Sequence, residues 1–254
     1  MPRRDRILIS TCLVIVVALA WAYLVVLGRR MSLSGHDGVV MAAMGMVGTP
    51  WTPVDLLLTF VMWTVMMVGM MGVSAVPVLL VFGATRTARE QGDVALATLA
   101  FSLGYAAVWT AFSLVATIAQ WTLHETAMLS PAMTASNPLI EGAILIGAGV
   151  YQLTPLKGAC LAHCRSPLAF LLTKWKNGRG GPFRMGVEHG TFCLGCCWAL
   201  MCVLFVVGVM NLVWVAALAV FVFLERIGPA PALVGRVAGI TMIIIGVSVL
   251  ARIV

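Results

Sequence analysis

The chain has 254 residues, of which 61% are hydrophobic and only 10% charged. Soluble domains carry about 25% charged residues, so this composition excludes an ordinary soluble domain and indicates an integral membrane protein. The formal net charge of +7 does not indicate nucleic-acid binding, because the basic residues gather in short stretches between apolar segments.

A spanning helix needs roughly 20 apolar residues. Seven stretches qualify or come close, at 7–27, 54–82, 94–121, 138–156, 187–208, 211–225 and 235–253. The predicted fold is all-α, a polytopic transmembrane helical bundle of about seven spans (six to seven), in one membrane domain over 1–254. Continuous apolar runs exclude the alternating pattern of a membrane β-barrel.

In chain order, Arg3, Arg4 and Arg6 precede the first stretch. No small-x-small cleavage pattern ends it, and Gly28-Arg29-Arg30 follows, so it reads as a retained span rather than a signal peptide. The glycine-rich segment 28–53 reads as an outer loop holding at most a short interfacial helix, with His36, Asp37, Met41, Met44 and Met46. The second stretch places Met62, Met66 and Met70 at i, i+4 and i+8, beside Met67 and Met71, on one broad thioether face. Pro77 should kink it near its inner end, and Pro155 should do the same to the fourth stretch.

Arg86 and Arg89 follow the second stretch, and an outer loop at 122–137 carries His124, Glu125, Met128 and Met133. A long inner loop, 157–186, holds Lys157, Arg165, Lys174, Lys176, Arg179 and Arg184, and it ends in the turn cluster Asn177-Gly-Arg-Gly-Gly-Pro182. The sixth stretch is short. It follows the fifth through Gly208-Val-Met-Asn211, so the two read as a tight hairpin or as one long bent helix. Arg226 and Arg236 come after it. If helices alternate, all these basic sets except Arg29 and Arg30 share one side, and the positive-inside rule makes that side, with the N-terminus, cytoplasmic in a bacterial inner membrane. Asp55, Glu141 and Glu188 stand at predicted helix starts, where a carboxylate favours the helix N-terminus. Glu188 also adjoins His189, and Lys157 is its expected partner across the loop.

The chemistry gathers around the inner loop. Cys160, His163 and Cys164 lie on its near side, and His189, Cys193, Cys196 and Cys197 on its far side. With His189 at zero on a wheel of about 100° per residue, Cys193 falls at about 40°, Cys196 at about −20° and Cys197 at about 80°. These four therefore form one stripe, and Cys160 and Cys164 repeat its i, i+4 spacing. A reducing compartment disfavours disulfides. Crowded thiol and imidazole groups instead select a soft metal, copper(I) first and zinc second. Cys193-x2-Cys196 supplies only half of a four-cysteine zinc pattern. Cys12 and Cys202 read as small hydrophobes. Thioethers bind copper(I) but compete poorly for zinc, so Met62, Met66 and Met70 read as a path leading inward to the cysteines.

The segments Tyr151-Gln-Leu-Thr-Pro-Leu-Lys157, Cys160-Leu-Ala-His-Cys-Arg-Ser-Pro167 and Gly190-Thr-Phe-Cys-Leu-Gly-Cys-Cys-Trp-Ala-Leu-Met201 resemble an uncharacterised bacterial family of predicted metal-binding integral membrane proteins. The helix Met62-Trp-Thr-Val-Met-Met-Val-Gly-Met-Met71 resembles the same family, with Gly69 where that family usually has alanine. The resemblance extends over residues 55–250 and implies a metal site at Cys160, Cys164, Cys193, Cys196 and Cys197.

These readings converge on a membrane-embedded soft-metal binding protein, acting in metal transport or in delivery to a membrane metalloenzyme. Its expected partners are the lipid bilayer, a metalloenzyme or metallochaperone, and further copies of itself. Two alternatives stay open. One is a non-catalytic accessory subunit of a membrane complex, such as a copper monooxygenase. The other is a membrane thiol/quinone oxidoreductase, against which the inner position of the cysteines counts. No catalytic triad, phosphate loop or dinucleotide fingerprint is present to suggest a soluble-type enzyme.

Overall fold

The computed structural model describes residues 3–43, 51–89, 92–126, 137–209 and 211–252, with side chains throughout except at 30–43. The side chains of His36, Asp37 and Met41, and the whole of Met44, Met46, Met128 and Met133, lie outside the described residues. All described elements are helices: α1 (Arg3–Ala43), α2 (Pro53–Ala88), α3 (Val94–Glu125), α4 (Pro138–Leu153), α5 (Pro155–Arg165), α6 (Pro167–Thr173), α7 (Gly181–Cys202), α8 (Leu204–Val207), α9 (Leu212–Ile227) and α10 (Pro231–Leu250).

Five segments among the described residues are long and apolar enough to cross a membrane: Arg3–Arg29, Pro53–Ala88, Val94–Glu125, Gly181–Val207 and Pro231–Leu250. A sixth is reached if α4 and α5, which meet at 64°, count as one broken span. The count of up to six meets the lower end of the six to seven spans expected from the sequence. The sixth stretch forms α9, whose 16 residues rise only about 24 Å, short of a hydrocarbon core of about 30 Å.

Local sequence explains most boundaries. Thr52 and Asp55 form a reciprocal capping box at the start of α2, with the Thr52 N–H donating to Asp55 Oδ2 at 2.9 Å and the Asp55 N–H donating to Thr52 Oγ1 at 3.4 Å. Asp93 caps α3 and Asn137 caps α4, with Glu141 in the first turn of α4. α2 continues through Pro77. Pro155 does more than kink its helix. Thr154, restricted by the following proline, takes an extended conformation (φ −74°, ψ 146°). Its hydroxyl then accepts from the Lys157 N–H at 3.3 Å, so Pro155 opens a new helix at the first-turn position that suits a residue without an N–H.

Two expected loops prove largely helical. The segment after residue 27 continues α1 to Ala43; charged residues leave the hydrocarbon there, but no proline falls between Pro2 and Pro50 to interrupt the backbone. In the inner loop, Pro155 and Pro167 each start a helix, and only Ser166 and residues 174–180 lie outside helices. The expected turn cluster does form there, with Gly178 at φ +87°.

α3 packs along α7, α2 along α3, and α5 along α7. The α3–α7 approach depends on glycine. A Cβ at Gly186 would overlap the Phe101 carbonyl, and one at Gly104 would overlap the Phe183 carbonyl. The core holds Trp63, Met66, Met67, Met71, Phe82, Phe101, Met185 and Met201. Leu57, Leu99, Val115, Ile118, Ile240 and Ile244 point outward and exposed, as lipid contact requires.

Candidate metal centre

The stripe on α7 turns inward. His189, Cys193, Cys196 and Cys197 are each 2% exposed or less. α5 crosses this face with its two half-buried cysteines. Gly195 admits it: a Cβ there would lie only 2.8 Å from Cys160 Sγ. The Cys164 side chain lies beside that of Cys196. The thiols of Cys196 and Cys197 both donate to the Cys193 carbonyl, each at 3.0 Å. Five cysteines from two helices thus converge.

A third helix joins them. Tyr105 Oη, on α3, lies 2.9 Å from Cys193 Sγ and 3.4 Å from the Met71 carbonyl oxygen. Met62, Met66 and Met70 are buried in the same core as the α7 cysteines, and Tyr105 bridges the middle of their helix, at the Met71 carbonyl, to Cys193. The His189 ring packs among Phe101, Tyr105 and Phe170, with centroids 6.2, 6.0 and 5.1 Å away. Its Nδ1 is buried and has no hydrogen-bond partner among the described residues. His163 does not join the group. Its ring stacks on Phe192 at 4.3 Å and 6°, with Nδ1 held 2.9 Å from the Ala159 carbonyl.

Sequence reasoning missed the fourth contributor. Arg226 was expected in an inner loop, yet it lies in the last turn of α9 and is 7% exposed. Its Nη2 donates to Cys193 Sγ at 2.7 Å and to Cys196 Sγ at 3.5 Å, and its Nη1 donates to Ser74 Oγ at 2.6 Å. A guanidinium only donates, so both sulfurs act here as acceptors. Among the described residues no carboxylate pairs with Arg226.

The turn that carries Arg226 is fixed from α4 and α5. Arg165 Nη1 donates to the carbonyls of Glu225 and Arg226 at 2.8 and 3.0 Å, satisfying acceptors that a helix C-terminus leaves free. Lys157 pairs with Glu225, both side chains being 3% exposed, and Gln152 Nε2 donates to the same carboxylate oxygen at 3.3 Å. The expected Lys157–Glu188 pair is therefore not formed. Glu188 lies well inside α7 and meets Lys174 at 3.0 Å and Lys176 at 2.7 Å. The only sequence sign of this arrangement was a Glu-Arg dipeptide closing an apolar stretch.

Among the described residues no three His, Cys, Asp or Glu side chains are already set to hold one metal ion. The Arg226 Nη2 contacts the sulfurs of both Cys193 and Cys196. The donor set itself, thiols with thioethers in the same core, suits a soft ion better than a hard one.

A family model described as PpoB2, copper chaperone, matches residues 60–249. That range takes in the methionine face, the five converging cysteines, His189 and Arg226. Neither the curated proteins nor the solved structures contain a match to the chain.

Proposed function

Because the chain belongs to the PpoB2 copper chaperone family, we propose that it binds copper(I) within the membrane and delivers it to a metalloenzyme assembled there. The observation that carries this reading is the convergence of Cys160 and Cys164 from α5 with Cys193, Cys196 and Cys197 from α7. Two helices must stay together for the ligand set to exist, and α5 contributes the more accessible half.

In this reading Met62, Met66 and Met70 pass the ion along α2. Cys193, Cys196 and Cys197 receive it, with His189 as a further ligand through its unpartnered Nδ1. Cys164 and Cys160, half-buried at the same end, release it. His163, stacked on Phe192, lies outside the proposed set. The cysteine end faces the cytoplasm, a placement supported by the basic run Lys174, Lys176, Arg179 and Arg184.

The test is anaerobic purification under reducing conditions, followed by elemental analysis and competition with a copper(I) chelator. The unaltered protein should retain copper(I) in preference to zinc, and Cys193→Ser or Cys196→Ser should abolish retention. Folded protein that takes up no copper(I) defeats the proposal.

A further inference from the structure

We infer that Arg226 is a resident cation holding the place of copper(I) between Cys193 and Cys196, and that the ion enters by displacing it. The inference rests on the copper reading above and adds the residue that controls loading and release.

The first support is position. One nitrogen, Nη2, reaches both sulfurs, at 2.7 and 3.5 Å, so an ion shared by Cys193 and Cys196 and this guanidinium exclude one another. The second is charge. A buried guanidinium needs an opposing charge, and the nearest carboxylate in sequence, Glu225, is already paired with Lys157 and bonded by Gln152. Sulfur is left to balance Arg226. Copper(I) held by both sulfurs replaces the S–H proton that Cys196 donates to the Cys193 carbonyl, and the guanidinium stays nearby, so one monovalent cation enters as one proton leaves and the local charge is unchanged. A divalent ion would leave an excess positive charge where low dielectric makes it costly, which favours copper(I) over zinc.

The third support is a place for the side chain to go. A cavity of about 330 Å³ lies beside Arg226, lined by Ser74, Pro77, Val78, Cys164, Pro167, Ile227 and Arg165, whose own guanidinium is held by the Glu225 and Arg226 carbonyls. Ser74 already holds Nη1 at 2.6 Å, so the guanidinium borders the space it would enter. Among the described residues its Nε has no hydrogen-bond partner to hold it back. Arg165 meanwhile anchors the Glu225 and Arg226 carbonyls, so the side chain can swing without displacing α9.

The experiment uses the full chain in detergent, with arginine labelled by nitrogen-15. The Arg226 guanidinium signal is assigned by its loss in Arg226→Lys. One equivalent of copper(I), supplied from a chelator, should shift that signal and leave those of Arg3 and Arg4 in place. Copper retained with the Arg226 signal unmoved overturns displacement while leaving the copper reading intact. Protein that retains no copper overturns both. A kinetic arm checks release. Arg226→Gln removes the cation that returns to the thiols, and an interaction of this type is worth about 1.5–3 kcal/mol. Copper transfer to a competing chelator should then slow by roughly tenfold or more, with Arg226→Lys staying close to the unaltered protein. Equal release from Arg226→Gln and the unaltered protein would overturn the inference.

Discussion

Replacing Glu225 with alanine should destabilise this protein severely, and the partner substitution should rescue it. Lys157 and Glu225 join α5 to the last turn of α9, and each side chain is 3% exposed. Removing one member of such a pair leaves the other charge buried and unpaired, which costs about 3–5 kcal/mol. Each kcal/mol lowers the melting temperature of a chain this size by about 2–4 °C, so Glu225→Ala should melt about 6–20 °C lower. The double variant Lys157→Met, Glu225→Leu has no orphaned charge. Apolar replacement of a buried pair is often neutral, so it should recover to within about 1 kcal/mol of the original. Thermal unfolding in detergent micelles, followed through the emission of the eight tryptophans, measures all three proteins. A single variant as stable as the parent would refute the buried pair. A double variant as unstable as the single would refute the argument that the orphaned charge causes the loss.

Three further outcomes are expected. Gly186→Ala pushes a methyl group into the Phe101 carbonyl and should cost about 1–3 kcal/mol by overpacking; an unchanged melting temperature would mean that α3 and α7 are further apart. Thr52→Ala removes the capping hydroxyl of α2 and should cost about 1 kcal/mol, with copper retention by the purified protein unaffected because the cap is remote from the cysteines. Met66→Leu conserves volume in the core and should cost less than about 1.5 kcal/mol, yet it should slow copper uptake into proteoliposomes. Uptake at the original rate would show that Met66 is packing and not part of a path.

The parts of this architecture legible in the sequence were those set by period and local chemistry. His189, Cys193, Cys196 and Cys197 repeat with the helical period, so their shared face followed from spacing alone, and the structure buries all four. Thr154-Pro155 and Ser166-Pro167 start helices, but Pro155 reads in the sequence as a kink, and the basic residues between them suggest a loop. That hid α5, the helix that brings Cys160 and Cys164 to α7. Partner choice was not legible. Lys157 could be matched to Glu188 or to Glu225, and only packing decides, because Glu225 is 68 positions away. Arg226 was least legible of all. A basic residue at the end of an apolar stretch ordinarily anchors a helix at the membrane surface. Its burial depends on how α9 meets α2 and α7, which no local pattern encodes.

Burial also orders the five thiols. Cys193, Cys196 and Cys197 are almost wholly enclosed, whereas Cys160 and Cys164 are half-buried. Cys193 is the sulfur in contact with Tyr105 and thus with the methionine helix. Cys196 is the one that meets Cys164 on α5. Arg226 touches both. Under the copper reading, entry passes Cys193 and exit passes Cys196, so a cation bound to both opposes a passing ion at the step between them. A site built only for tight retention gains nothing from such a competitor. A site that must give up its ion does, because each departure is offset by the return of the guanidinium. Under the copper reading, the proposed displacement of the buried arginine favours delivery over storage as the work of this centre.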